Sequence, residues 1–101
     1  MIDLVEVQKR VYRNKVEKGF NVTDVFMEFC HIYGELSEAC DAYSKKKTDL
    51  GEELADIALF LLGLSEILNI NLEDEILKKL EVNEKRVYVK QDGVHVKVGR
   101  L

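Results

Sequence analysis

Apolar residues recur every three or four positions along most of the chain, which is the period of amphipathic α-helices. This pattern predicts four helices, and turn or capping residues separate them. Gly19 ends the first helix, and Asn71, with Asp74 three residues on, begins the fourth. The N-cap candidates are Asn21 or Thr23 for the second helix and Thr48 or Asp49 for the third. In chain order, the predicted helices cover about residues 4–18, from the N-cap to residue 43, residues 50–68, and residues 71–86.

The apolar positions also indicate how these helices pack. In the second helix the stripe consists of Phe26, Phe29, Cys30, Tyr33, Leu36, Cys40 and Tyr43. The third helix is apolar on every side between Ile57 and Leu64, as in helices that are buried on several sides. A chain of 101 residues builds only a modest core. We therefore expect part of the wrapping to come from another subunit.

The period changes to two near the C-terminus. Val87 and Val89, and then Val94, Val96 and Val98, alternate with polar residues, and Asp92-Gly93 lies between the two runs. This arrangement predicts a two-stranded β-hairpin. The fold class expected is thus all-α, a four-helix bundle completed by oligomerisation, with a helical domain over 1–88 and a hairpin tail over 89–101.

Composition narrows the functional classes. A net charge of −4 argues against a nucleic-acid binder, although a bound divalent metal would let an acidic site take nucleotides. The longest uncharged apolar run, 57–65, is about half of a membrane span, and no signal-peptide pattern is present, so we expect a soluble, cytoplasmic protein. Cys30 and Cys40, about 15 Å apart along one helix, are expected to be reduced and mostly buried.

Four acids stand in register on the second and third helices. Glu35 and Glu38 share one helical face, and Glu53 and Asp56 repeat the spacing after a short polar connection. That connection makes the helices antiparallel neighbours, so Glu38 comes level with Glu53 and Glu35 with Asp56. A single glutamate pair is usually solvated, but two pairs in register would repel unless a hard cation lay between them. Oxygen ligands suit Mg²⁺ or Mn²⁺, and Asp41 extends the stripe as a further acid.

The four acids and their neighbours resemble a known signature. Glu35-Leu36-Ser37-Glu38 followed by Glu53-Leu54-Ala55-Asp56 is similar to the E-x-x-E…E-x-x-D motif of the all-α nucleotide pyrophosphohydrolases, the MazG-like superfamily. The resemblance covers about residues 4–88. It includes Lys18-Gly19-Phe20 after the first helix and the segment from Lys79 to Arg86 in the fourth.

The resemblance implies an enzyme that hydrolyses nucleoside triphosphates between the α and β phosphates, giving the monophosphate and pyrophosphate. Mg²⁺ would bind Glu35, Glu38, Glu53 and Asp56, and Glu38 is our candidate for the general base. Lys79 and Asn83, and less strongly Arg86, would contact the nucleotide. The base preference stays open. Phe29, Tyr33 and Tyr12 are possible stacking partners, but aromatic residues at helical spacing are more often core. Lys15 and Lys18 could also reach phosphates, although exposed lysines near a helix end are more often solvated. His31 and His95 receive no role. The resemblance also implies a homodimer or homotetramer.

Three other functions fit parts of the pattern. A phosphoribosyl-ATP pyrophosphohydrolase would use the same scaffold and bond class on another substrate. A carboxylate-bridged di-iron protein would need Glu-x-x-His pairs, which the sequence lacks. A non-catalytic nucleotide-binding or assembly module would not need the complete acid set.

Overall fold

The structure, a computed structural model, describes residues 1–100, except for the side chains of Gly99 and Arg100. Leu101, the last residue of the predicted tail, lies outside the described residues. The chain is mostly helical and ends in a small antiparallel hairpin, as the sequence predicts. The elements are α1 Leu4–Glu17, α2 Val25–Ser44, α3 Leu50–Ile67, α4 Leu72–Glu84, β1 Arg86–Gln91 and β2 Val94–Arg100.

Short polar side chains begin three of the four helices. Asp3 accepts hydrogen bonds from the backbone amides of Val5 and Glu6, and Asn71 accepts one from Asp74. The prediction for α2 was wrong, because Asp24 and not Asn21 or Thr23 caps that helix. Asn21 instead lies before the cap, where its side chain bonds the backbone N–H and carbonyl of Asp24. At α3, Asp49 occupies the cap position but makes no capping hydrogen bond.

The first three helices end in the same type of turn. After α1, the amide of Phe20 donates to the carbonyl of Lys15 (2.9 Å), and Gly19 adopts a φ of 71°. This pair of features is the Schellman motif, in which a left-handed residue lets the chain fold back over the last helical turn. Lys46 and Asn69 take the left-handed position after α2 and α3. The connections can therefore be short, and each helix starts close to the end of the previous one.

The packing is built around α3. α2 and α3 form an antiparallel helical hairpin, α1 lies against α3, and α4 packs chiefly against α1. Gly63 permits the close approach of α1, because a Cβ atom there would lie 3.0 Å from Cγ1 of Val11. Buried Gln8 of α1 donates to Glu66 (3.0 Å) and to the carbonyl of Ile70 (2.7 Å), which ties α1 to the turn between α3 and α4.

The hairpin follows directly on α4. Gln91 pairs with Val94 across a two-residue turn, in which Asp92 and Gly93 both have positive φ (49° and 80°). Such a turn matches the right-handed twist of the flanking strands. Val89 pairs with Val96, and both valines are exposed in the single chain. β1 begins at Arg86, so the hairpin starts slightly before the predicted tail.

Much apolar surface remains uncovered in one chain. Ala39, Ala42, Leu62 and Leu64 are the buried apolar residues among those described, whereas the predicted stripe of α2 is exposed from Phe26 to Tyr43. The radius of gyration is 16.9 Å, against about 13 Å for a typical domain of this length. The accessible surface is 7830 Å², against about 5,800 Å² for a folded monomer of this mass. A single chain therefore leaves about 2,000 Å² more surface open than a closed domain does.

Two further observations concern the cysteines and the possibility of a membrane-spanning helix. Cys30 and Cys40 are free thiols, and both are exposed, contrary to the predicted burial, because they belong to the uncovered side of α2. Across the described residues, none of the helices is both long enough and apolar enough for a membrane crossing.

Candidate metal centre

Three glutamates from two helices meet at one point of the surface. Glu35 and Glu38 project from α2 and Glu53 from α3, and one carboxylate oxygen from each lies within 4.8 Å of the other two. Glu35 and Glu53 are half-buried, while Glu38 is exposed. The structure thus brings together three of the four acids that the sequence placed in register.

The local packing explains why these acids converge. Ala39 and Ala42 are buried on the same face of α2 as Glu35 and Glu38, since they follow at helical spacing. Small side chains at this point let α2 and α3 approach closely. The apolar stripe from Phe26 to Tyr43 occupies the opposite side of α2. The acids therefore lie at the surface beside the helix–helix contact, with Glu35 and Glu53 half-buried and Glu38 exposed.

Burial, followed by the charges of neighbouring acids, raises the pKa of two of these glutamates. The pKa of Glu35 is raised by burial first, and then by the charges of Glu38 and Asp56, while His31 acts in the opposite direction. The pKa of Glu53 is raised by burial and by repulsion from Glu38, Asp49 and the other acids. Both shifts show that the folded chain disfavours the ionised form of these carboxyl groups.

Asp56 and Asp49 take different places around this group. Asp56 is exposed and is not among the three converging oxygens, but it is close enough for its charge to raise the pKa of both Glu35 and Glu53. The sequence pattern predicted Asp49 only as a candidate helix cap. Its Oδ1 is buried without a hydrogen-bond partner, and its charge also acts on Glu53. The sequence signal was present, since Asp49 and Glu53 are one helical turn apart.

The donor set fits a hard divalent cation. Oε2 of Glu35 and Oε2 of Glu53 are buried and accept no hydrogen bond from the described residues. Buried carboxylate oxygens normally have a donor or a cation beside them. Oxygen ligands without sulfur or imidazole favour Mg²⁺ or Mn²⁺ over zinc. Glu35, Glu38 and Glu53 would hold such an ion, with Asp56 beside them.

The structure does not bring the predicted residues of α4 to the acids within one chain. Lys79 and Asn83 are exposed on α4, which packs chiefly against α1. Arg86 is half-buried at the start of β1, with its Nε buried and unpartnered. The cleft beside the acids is lined by residues of α2 and α3 only: Cys30, His31, Gly34, Glu35, Glu38 and Phe60.

A second cleft adjoins the acids and was not anticipated. It has a volume of about 330 Å³ and shares His31 and Phe60 with the cleft beside Glu35. Its other lining residues are Lys15, Phe20, Asn21, Met27 and Glu28. Lys15, expected to be solvated, is 8% exposed, and Glu28 is 1% exposed. In the sequence, Lys15 and Glu28 lie on opposite sides of the turn at Gly19, which is consistent with a contact between them. Only the folded structure shows that contact.

Comparison with known proteins gives no family assignment. No protein-family model, curated protein or solved structure matches this chain significantly.

Proposed function

We propose that this protein is a Mg²⁺-dependent pyrophosphohydrolase of nucleoside triphosphates, of the all-α MazG-like class. The observation that carries the proposal is the convergence of Glu35, Glu38 and Glu53, two of which bury an oxygen that has no donor. The motif resemblance supplies the reaction class. Cleavage would occur at the α–β anhydride and give a nucleoside monophosphate and pyrophosphate.

In this mechanism the metal ligands and the general base have separate roles. A bound Mg²⁺ would supply charge neutralisation for the phosphate oxygens and lower the pKa of a water molecule. Glu35 and Glu53, held by the α2–α3 contact, fix the position of the ligand oxygens. Glu38 is exposed and accepts a proton as water adds to phosphorus and the bridging P–O bond breaks, with pyrophosphate as the leaving group.

We further propose that the working form is a homodimer or homotetramer. The open surface supports this, since about 2,000 Å² of excess area per chain is in the range of obligate interfaces. The exposed stripe of α2, from Phe26 to Tyr43, is a natural contact surface. In such an assembly a partner's α4 would be available to present Lys79, Asn83 and Arg86 to the acids, which α4 of the same chain does not reach.

The test is pyrophosphate release from a panel of NTPs and dNTPs in the presence of Mg²⁺, Mn²⁺ or EDTA. We expect metal-dependent release of pyrophosphate plus monophosphate. Glu38→Gln should lower kcat by roughly a hundredfold or more, as loss of a general base does. Asp56→Asn, which removes the acid beside the three ligands, should lower it by roughly tenfold to a hundredfold. Glu52→Gln, an exposed acid one position from Glu53, is the matched control and should retain full activity.

Three results would overturn the proposal. Release of orthophosphate instead of pyrophosphate would change the bond cleaved. Activity on phosphoribosyl-ATP with none on free triphosphates would identify the related enzyme of histidine biosynthesis. Metal-independent nucleotide binding without turnover would indicate a binding module.

A further inference from the structure

A buried ion pair, Lys15 with Glu28, lines the second cleft, which adjoins the acids. Nζ of Lys15 donates to Oε1 of Glu28, and Asn21 donates to Oε2 of Glu28 (3.0 Å). His31 Nδ1 lies 3.5 Å from the same Oε2. The side chains of Lys15 and Glu28 are only 10% and 1% exposed, although both line the cleft. Charged groups buried this deeply need all of their bonding capacity satisfied.

The bonding capacity of this pair is not used up. An ammonium group has three N–H donors, and within the part of the chain that the structure describes Lys15 donates only to Glu28. A carboxylate accepts about four hydrogen bonds, and Glu28 receives two from Lys15 and Asn21. The cleft is therefore lined by a charged donor beside a charged acceptor, and each has hydrogen-bonding capacity left.

The remaining walls are flat and apolar. The ring of Phe60 lies below Lys15, with Nζ 5.5 Å from its centroid, and His31 packs edge-on against Phe60 with their ring centroids 6.0 Å apart. Phe20 is brought back over the end of α1 by the Schellman turn at Gly19. Gly63 leaves room for the stem of Lys15, whose Cδ is 3.5 Å from the place of an added Cβ. Aromatic walls favour a planar group, because stacking needs no fixed direction of hydrogen bonds.

The charge of the pair indicates which part of a nucleotide fits there. Lys15 and Glu28 neutralise one another, so this part of the cleft offers no net positive charge to a phosphate. A phosphate would also lie close to the Glu28 carboxylate, which repels it. A neutral planar group with a donor and an acceptor side by side satisfies both free positions. In a nucleotide, only the base has this character.

We propose that this cleft holds the nucleobase of the substrate and that Lys15 and Glu28 select bases with a carbonyl oxygen next to a ring N–H. This inference rests on the proposed function, because it assumes that the phosphates lie at the acids next to His31 and Phe60. The carbonyl accepts from Lys15, and the ring N–H donates to Glu28. Uracil, thymine, guanine and hypoxanthine present this edge.

Cytosine and adenine present a different edge, an amino group beside a ring nitrogen without hydrogen. It can also meet a donor and an acceptor, but more weakly. A ring N–H flanked by a carbonyl is more acidic than an amino N–H, so it donates the stronger hydrogen bond to the Glu28 carboxylate. Since hydrogen bonds to ionised partners gain most from such polarity, the bond to Glu28 favours the carbonyl-bearing bases. The preference expected is roughly tenfold in kcat/KM, the size of one such bond.

The experiment compares kcat/KM for UTP, GTP and ITP with that for CTP and ATP, using the full chain with Mg²⁺. Glu28→Gln keeps the side-chain shape but adds a donor, and it should remove most of the preference by raising CTP and ATP relative to UTP. Lys15→Met combined with Glu28→Leu removes both charges and leaves none unpaired. Lys9→Met, an exposed lysine of the same helix, is the control and should keep the wild-type preference. Helical circular dichroism of each variant establishes that it is folded.

A calorimetric measurement of UMP and CMP binding accompanies the kinetics, because it does not depend on turnover. Selective binding of UMP without hydrolysis of any triphosphate would contradict the proposed enzymatic activity but support recognition of the base by the cleft. Hydrolysis at equal rates for all bases, or a preference for CTP and ATP, would overturn the inference and leave the enzyme standing. An equal loss with every base in the double variant would also overturn it, since Lys15 would then serve the phosphates or the fold. Absence of both binding and hydrolysis would overturn both proposals.

Discussion

A carboxylate oxygen buried without a donor is costly, and the acid cluster contains two of them, on Glu35 and Glu53. Burial and the neighbouring acids raise the pKa of both residues above the usual 4.5. A group whose pKa is raised by folding releases its proton more readily in the unfolded chain. These acids therefore reduce the free energy of unfolding as the pH rises from about 4.5 through their folded pKa values, and the full cost is present above those values.

We expect Glu53→Gln to raise the unfolding temperature of the metal-free protein at pH 7, because the substitution removes a charge that its neighbours repel. Addition of Mg²⁺ should raise the unfolding temperature of the wild type, since a ligand that binds only the folded state stabilises it. The same addition should have little effect on Glu53→Gln. Thermal unfolding with EDTA and with Mg²⁺ measures both effects, with Glu52→Gln as control. A lower unfolding temperature for metal-free Glu53→Gln would contradict the proposed repulsion.

Glu28 has the opposite pKa shift. Burial alone would raise its pKa, but hydrogen bonds from Lys15 and Asn21 and the charge of Lys15 outweigh burial and lower it below 4.5. A group whose pKa is lowered by folding contributes stability above its unfolded pKa. That contribution is lost as the pH falls through the folded value.

We therefore expect the free energy of unfolding of the wild type to fall more steeply below about pH 4.5 than that of Glu28→Gln. At pH 7 the variant should be less stable by about 1–3 kcal/mol, the cost of weakening a buried charged hydrogen bond. Urea unfolding between pH 7 and pH 3 measures both quantities, and Glu17→Gln, an exposed glutamate of α1, serves as control. Parallel curves for the wild type and Glu28→Gln would show that Lys15 does not stabilise the ionised form.

Some properties of individual residues were not predictable from helical spacing. The pattern showed that Glu35, Glu38 and Glu53 share one side of a helical hairpin, because spacing and a short connection determine that. It did not show that Lys15 is buried, because its burial depends on the turn at Gly19 and on the absence of a side chain at Gly63. The exposure of Cys30 and Cys40 also depends on what covers α2, which one chain does not supply.

At the scale of elements, α1 lies close to α3 at Gly63, where α3 has no side chain. We expect Gly63→Leu to destabilise the fold by about 1–3 kcal/mol or more, because the added atoms collide with Val11 and the stem of Lys15 in a packed contact. Gly51→Ala is the matched control in the same helix. No atom lies within 4 Å of its added Cβ, so it should be neutral or stabilise by up to ~1 kcal/mol. Chemical denaturation measures both values, and equal stability of Gly63→Leu and wild type would mean that α1 can move away without cost.

The elements themselves were largely predictable. The four helices and the hairpin follow from periods of 3.6 and 2, and Asp92-Gly93 forms the predicted two-residue turn. The cap of α2 was misassigned, because Asn21, Thr23 and Asp24 are all good capping residues and only tertiary contacts distinguish them. Asn21 is drawn away from the cap by Glu28, to which it donates. The link from Gln8 to the turn after α3 joins positions far apart in sequence and has no local signal.

At the scale of the whole molecule, one chain does not close around its own apolar residues. Its radius of gyration of 16.9 Å exceeds that of a closed domain of this length, and its α2 stripe is exposed, which supports the proposed assembly. We expect light scattering to give twice or four times the mass of the 11.6 kDa chain. We also expect the midpoint of urea unfolding to rise with protein concentration, as it does when folding and association are coupled.

Phe29→Glu tests which surface is used. A charge in the middle of the exposed stripe should lower the mass to that of one chain and reduce stability, whereas Lys9→Glu on α1 should leave the mass unchanged. A monomer for the wild type at micromolar concentration would contradict the proposed assembly. An unchanged oligomer for Phe29→Glu would place the contact on another surface.

The four acids and the second cleft, which is proposed to hold the nucleobase, are built from different parts of the chain. All four acids fall between Glu35 and Asp56, on a single helical hairpin. The cleft that is proposed to read the base also needs Lys15 and the segment around Asn21, which lie outside that hairpin. In the proposed enzyme, substrate choice can therefore diverge between descendants through changes in α1 and the loop after it, while the proposed phosphate chemistry is inherited intact. During evolution, the same α2–α3 hairpin can thus serve different substrates without an intermediate that has lost activity.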